Sequence, residues 1–198
     1  MIDDKTIEVY NAQVEDYLEV VQQHAADPGL EQFMAWLEPD DLVLDLGCGP
    51  AHASAAMREE GLRVDPVDAS PAMVEMANKQ FQIGARLATF DDIDQVEHYD
   101  GVWANFSLLH APANRFPHHI KALYTALVDG GIFHLALKPG SGEKRDKLGR
   151  MYSYYSENEL VGMLENTGFE IDEITHGEGM GLAGDVEPWI VVLCCKAH

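Results

Sequence analysis

A three-layer α/β fold, built on a doubly wound and mostly parallel sheet of seven strands, is what this 198-residue chain predicts. Three observations carry that expectation. The run DLGCGPA at 45–51 sets a glycine turn directly behind the apolar Leu42-Val43-Leu44. A second short strand at 64–67 ends on Asp68, 19 residues after Gly49. Strand-like and helix-like segments then alternate to the C-terminus, the pattern of a sheet covered by helices on both faces.

The elements follow in order. Residues 5–23 form an N-terminal helix whose apolar side carries Tyr10, Val14, Tyr17, Leu18 and Val21 at helical spacing. Pro28-Gly29 interrupts it, and 30–37 is a further short helix before the first strand. Behind the glycine turn, the alanine-rich 51–60 is helical and stops at Gly61. The helix at 71–80 has Ser70 as its N-cap and Pro71 in its first turn. Strands are expected at 85–90, 101–106 and 132–137, with a helix over 118–127 closed by Gly130-Gly131. Residues 139–150 have the glycine and charge content of a loop. Ser156 and Glu159 open a helix over 157–167 that Gly168 stops. Two last strands, 169–174 and 189–195, flank a glycine-rich connection at 177–184 and suit an antiparallel hairpin at the sheet edge.

The length suits one domain, 1–198, with 1–38 as an N-terminal helical cover. No apolar run is long enough to span a membrane, and the start lacks a secretory pattern, so a cytoplasmic protein is expected. Cys48, Cys194 and Cys195 make a poor disulfide framework, and no cluster has metal-ligand spacing. A formal net charge of −21 repels polyanions, which argues against nucleic acid as a partner. The charge is uneven: residues 138–150 hold five Lys/Arg against two Asp/Glu. That segment is either a solvated loop or a local anion site.

Gly47 and Gly49 allow a tight turn and close approach of the backbone to a ligand. A carboxylate at the position of Asp68 can accept hydrogen bonds from a ribose diol. Asp45 and Asp68 can alternatively cap helices. The turn lacks the Lys-Ser/Thr ending of a triphosphate-binding loop. A nucleoside-containing cofactor lying across the first two strands is the reading that joins these signals.

VLDLGCGPA at 43–51, VDASPAMVEMA at 67–77, YDGVWANFSLLH at 99–110 and ALVDGGIFHLALKPG at 126–140 together resemble a class I S-adenosylmethionine-dependent methyltransferase. The resemblance runs from about Tyr10 to the C-terminus. It implies a three-layer, Rossmann-like methyltransferase fold whose strand 7 runs antiparallel between strands 5 and 6. It further implies that Asp45 and Gly47-Cys48-Gly49 flank the methionine part of S-adenosylmethionine, and that Asp68, with Ala69 beside it, holds the ribose hydroxyls. Met73 would border the adenine, Asp91 or Asp92 its amino group, and Asn105 and Phe106 the sulfonium. Tyr10 and Tyr17 would close over the methionine end, where helix packing is their other explanation. His52 can reach the cofactor carboxylate or simply begin its helix.

Methyl transfer needs no catalytic triad, because the sulfonium is already a strong donor and positioning does much of the work. His110 is the candidate base or orienting donor, since histidine titrates near neutrality; a bond to local backbone is the competing role. The connection 138–156 is the expected acceptor site. There Arg145 and Arg150 can clamp an anion while Tyr152, Tyr154 and Tyr155 build an aromatic wall. The expected reaction is methylation of a small anionic or aromatic metabolite, leaving S-adenosylhomocysteine. Methylation of tRNA or protein with a partner subunit, and a non-catalytic cofactor-binding regulator, are the alternatives.

Overall fold

The chain begins with two helices, α1 (Asp4–Ala12) and α2 (Val14–Gln23), where the apolar spacing predicts one. The computed structural model describes residues 3–23 and 28–197, with the backbone alone described at 19–23 and 28, so the side chain of Val21 lies outside the described residues. The break falls at Gln13 (φ −121°, ψ 28°). It turns α2 so that the ring of Tyr17 meets Tyr10 edge-on at 5.7 Å. Asn11 fixes the joint by accepting a 2.7 Å hydrogen bond from the Ser70 hydroxyl.

The sheet follows with its helices: α3 (Pro28–Met34), β1 (Leu42–Leu46), α4 (His52–Glu59), β2 (Arg63–Asp68), α5 (Pro71–Phe81), β3 (Arg86–Leu87), β4 (Tyr99–Asn105), α6 (Phe116–Ala126) and β5 (Leu127–Leu137). Then come β6 (Gly142–Arg145), β7 (Met151–Tyr154), α7 (Glu157–Thr167), β8 (Phe169–Met180) and β9 (Val186–Lys196). Seven strands pair in the order β3-β2-β1-β4-β5-β9-β8. The first five run parallel, and β9 runs antiparallel to both β5 and β8. Alternation of side chains along the strands divides the core between two faces. Leu44, Val102 and Leu135 face Phe116 and Ile120 of α6 and Leu160 of α7. Val43, Trp103 and Ile132 face Phe33 of α3 and Met57 of α4.

Besides the divided N-terminal helix, and β5, which begins at Leu127 and runs through the Gly130-Gly131 pair expected to close the helix before it, three segments differ from the sequence expectation, each for a local reason. The strand expected at 85–90 pairs only over Arg86 and Leu87. Beyond it, Thr89 and Asp92 cap each other and wind Phe90–Asp92 into a single 3₁₀ turn. The expected loop at 139–150 contains β6, which pairs with β7 as a small separate sheet. All four residues of β6 are exposed, so it has no apolar alternation to reveal it. Its turn is held by Asp146, which accepts from the backbone N–H groups of Leu148 and Arg150.

The third difference is the glycine-rich stretch after 174, which belongs to β8. A Cβ on Gly177 would stand 2.2 Å from the Trp189 ring. Glycine there lets an indole lie across the strand, so this glycine serves packing rather than turning.

Candidate active site

The carboxyl ends of β1, β2 and β4 open into a cleft of about 620 Å³, roofed by α1 and α2. Among the described residues that line it, Asp68 is the one carboxylate, and there is no Lys or Arg. Such a cleft suits a cationic or neutral ligand and offers no side-chain cation to a phosphate.

The glycine turn builds its floor. Gly47 has φ +77°, and a Cβ there would overlap the Cβ of Ser107 at 2.4 Å. Gly49 has φ +53°, and its Cβ would press on the Tyr17 ring at 3.2 Å. Both conformations favour glycine, and both positions leave room that a side chain would fill. The N–H groups of Gly47 and Cys48 both donate to the Val67 carbonyl, tying the turn to β2. Asp68 braces it from the other side: one oxygen accepts from Gly49 N–H at 2.9 Å, the other from Ser70 N–H at 2.8 Å. Burial raises the Asp68 pKa, opposed by those backbone hydrogen bonds.

Ala69, Ser70, Met73, Ala88 and Phe90 continue the wall from β2 towards β3. Asn105, Phe106, Ser107 and His110 supply the opposite wall. Phe106 has φ +55°, a left-handed conformation that is uncommon for a bulky residue and marks functional turns in many proteins. The Ser107 hydroxyl is buried without a hydrogen-bond partner among the described residues. Thr6, Ile7, Tyr10 and Tyr17 form the roof. Thr6 and Ile7 share the helix face of Tyr10, a signal the sequence carried; Ser107 and Phe90 had no distinguishing pattern.

Several expected residues have other employment. Asp45 lies beneath the turn, where it accepts a 2.6 Å bond from Ser54 of α4 and does not line the cleft. Burial pushes its pKa up to about 7, Asp68 adds to the rise and Ser54 opposes it. Cys48 directs its thiol to the Gly49 carbonyl, and burial raises its pKa. His52 packs edge-on against Phe81 at 5.1 Å, outside the cleft. Asp91 forms an ion pair with Arg115 at 2.6 Å, and Asp92 caps Thr89; neither lines the cleft.

His110 departs most from expectation. Its Nδ1 lies 2.6 Å from the Met151 carbonyl, an oxygen that can only accept, so the ring hydrogen is on Nδ1. Nε2 therefore accepts, and Tyr10 donates its hydroxyl hydrogen to it at 2.7 Å. Burial pushes the His110 pKa down to about 3. Histidine here is neutral with both nitrogens engaged, which corrects the expectation of a base titrating near neutrality.

The anion clamp is likewise not assembled. Arg145 forms a double ion pair with Asp3 of the N-terminal segment, at 2.7 and 2.9 Å. Arg150 is buried, paired with Asp146 at 2.8 Å, and donates to the Tyr10 hydroxyl at 3.0 Å. Tyr152 is buried against His110, with Tyr154 stacked beside it at 6.0 Å, while Tyr155 packs on Phe116. The hairpin of β6 and β7 is thereby fastened to α1, a fastening completed by the Met151 N–H donating to Thr6.

This fold and cleft are those of a class I S-adenosylmethionine-dependent methyltransferase. The family model described as a methyltransferase domain matches residues 17–174, and the chain belongs to that family. S-adenosylmethionine is accordingly its cofactor, and the glycine cradle, the Asp68 carboxylate at the cleft wall and the lack of lining cations fit it. An uncharacterized methyltransferase of Schizosaccharomyces pombe is 26% identical over 181 residues, covering 78% of this chain and 69% of that protein. A carboxy-S-adenosyl-L-methionine synthase of Psychrobacter sp. is 29% identical over 140 residues, 62% of this chain and 50% of that protein. The Burkholderia thailandensis 1,6-didemethyltoxoflavin-N1-methyltransferase, crystallised with its substrate and S-adenosylhomocysteine, shares the fold. Its TM-score is 0.74 at 21% identity, with 96% of this chain and 88% of that chain covered.

Proposed function

We propose that this methyltransferase acts on a small, flat, largely apolar metabolite. The observation that carries the reading is the composition of the cleft: Ile7, Tyr10, Phe106 and His110 stand around it, and the nearby arginines are spent on Asp3 and Asp146. An aromatic acceptor keeps its support from this arrangement, and an arginine-clamped anion loses it. A structural relative that methylates 1,6-didemethyltoxoflavin is in keeping with a small-molecule acceptor.

In this reading Asp68 receives the ribose hydroxyls, and Met73, Ala88 and Phe90 sandwich the adenine. The Gly47–Gly49 backbone and Asn105 meet the methionine part. Once bound, S-adenosylmethionine supplies an activated methyl group on a sulfonium. The protein's share is then alignment of donor and acceptor, exclusion of water, and a wall free of competing charge. Tyr10 and Tyr17 exclude water from above. His110 and Arg150 hold the Tyr10 hydroxyl from two sides, making them positioning residues.

The test is a metabolite screen with methyl-labelled S-adenosylmethionine, beside calorimetric titration with S-adenosylhomocysteine and NAD. Label in a small aromatic product, with S-adenosylhomocysteine bound and NAD ignored, is expected. Label in tRNA or protein would overturn the acceptor assignment. Tight cofactor binding without any labelled product would favour a regulatory role. The three cysteines are free, which suits a cytoplasmic setting.

A further inference from the structure

Asn105 and Ser107 line the cleft where β4 ends, and the Asn105 side chain reaches back to His134, a buried polar residue among apolar neighbours. His134 lies on β5 directly across from Trp103 and is only 2% exposed. Its ring stacks on the indole at 3.7 Å, and Phe33 meets it edge-on at 6.3 Å. A phenylalanine would fill the same space without the cost of burying imidazole nitrogens. What the imidazole adds is one bond: Nε2 lies 3.2 Å from the side-chain oxygen of Asn105. Burial pushes the His134 pKa down to about 3, so the ring is neutral and carries one hydrogen. An amide oxygen only accepts, which puts that hydrogen on Nε2.

In this pairing the Asn105 amide turns its oxygen inward and its nitrogen away from His134. Its oxygen is committed inward to His134, and its nitrogen makes no hydrogen bond among the described residues while the side chain lines the cleft. Two residues on, the Ser107 hydroxyl lines the same cleft, buried and without a partner among the described residues. Ser107 also stands against Gly47, at the floor of the glycine turn. Two side chains with hydrogens to give therefore line the same cleft, and a buried donor left unpaired carries a free-energy cost that a ligand oxygen removes.

We propose that His134 is a positioning residue: it holds the Asn105 oxygen so that the amide hydrogens, together with the Ser107 hydroxyl, receive the carboxylate of the cofactor's methionine part. Within the methionine part the carboxylate is the group that only accepts, so it is the one these donors suit; the ribose hydroxyls have Asp68. The inference rests on the placement of S-adenosylmethionine given above.

The experiment compares two ligands by calorimetry on the full chain. S-adenosylhomocysteine carries the carboxylate; 5′-methylthioadenosine lacks the whole amino-acid portion. Asn105→Ala, Ser107→Ala and His134→Phe are each expected to weaken S-adenosylhomocysteine by about 10- to 100-fold, the range of a bond to a charged group. Binding of 5′-methylthioadenosine stays unchanged in all three. The double variant His134→Phe with Asn105→Ala is expected to lose no more than Asn105→Ala alone. Wild-type affinity in a folded His134→Phe protein, an additive double variant, or equal losses for both ligands overturns the proposal. Should the His134→Phe change prevent folding, His134→Gln retains a donor: near-wild-type affinity supports the assignment, and the full Asn105→Ala loss overturns it. Asp68→Ala separates the two readings, since it should weaken both ligands. If it weakens neither, the cofactor placement itself is wrong.

Discussion

Asp68, half-buried at the end of β2, and His110, buried in the turn after β4, both line the cleft, yet their hydrogen bonds give them different work. Asp68 spends each oxygen on a backbone N–H and still has lone pairs to offer a ribose diol. Asp68→Ala is expected to weaken S-adenosylhomocysteine by roughly 1–3 kcal/mol, measurable by calorimetry. Asp65→Ala is the control, because Asp65 turns away to Arg86 and Tyr99. Equal loss in both would remove Asp68 from the ribose site. For His110 the consequence lies in stability. Its pKa is about 3 in the native state, against about 6.5 in an unfolded chain. Below pH ~6.5 the unfolded state binds a proton that the native state refuses, so stability is full above that pH and falls as pH drops towards 3. His134 acts in the same direction. The thermal midpoint is expected to fall between pH 7 and 4, less steeply in His110→Asn. Between pH 6 and 9 the turnover profile should carry no His110 limb; a limb that vanishes in a folded variant would restore the base.

At the scale of elements, β8 and β9 depend on a pairing of no side chain with a large one. An added methyl at Gly177 meets the Trp189 ring at 2.2 Å, whereas at Gly179 the nearest ring atom is 3.6 Å away. Gly177→Ala is expected to cost about 1–3 kcal/mol in urea unfolding, the range for overpacking, and Gly179→Ala much less. Comparable costs at both sites would mean that Trp189 swings aside freely. The α1 helix shows the complementary case, in which an element is placed by bonds rather than by packing. Asp3, Thr6, Tyr10 and Asn11 each reach a different neighbour: Arg145, Met151, His110 and Ser70. These attachments, spread along the helix, make α1 a fixed roof over the cleft.

The whole molecule carries a formal charge of −21 against a fold that must bring those charges together. Self-repulsion opposes the compact state, and salt relieves it: the screening length falls from about 10 Å at 0.1 M to about 3 Å at 1 M. The thermal midpoint is therefore expected to rise by several degrees as potassium chloride goes from about 0.05 to 1 M. A flat or falling midpoint would show that the ion pairs, which salt weakens, outweigh the repulsion.

Wherever a property depends on local pattern, it was legible in the linear chain. The strand before DLGCGPA, the cap of α5 by Ser70, the capping box of α7 and the antiparallel last strand all follow from spacing, turn chemistry or resemblance. Asp68, Met73, Asn105 and Phe106 were likewise placed at the cleft by their positions at or beyond strand ends. What could not be read was the partner each polar group would choose. Arg145 and Asp3 are 142 residues apart, Tyr10 and His110 100, and no periodicity connects them. The same holds for the exposed strand β6 and for Gly177, whose meaning is set by an indole arriving from another strand. Spacing dictates which backbone groups need satisfying and which faces are apolar, because those constraints act over a few residues. Whether an arginine holds a ligand or an aspartate, and whether a histidine is a base or a prop, is decided only when distant segments meet and the bonds are shared out.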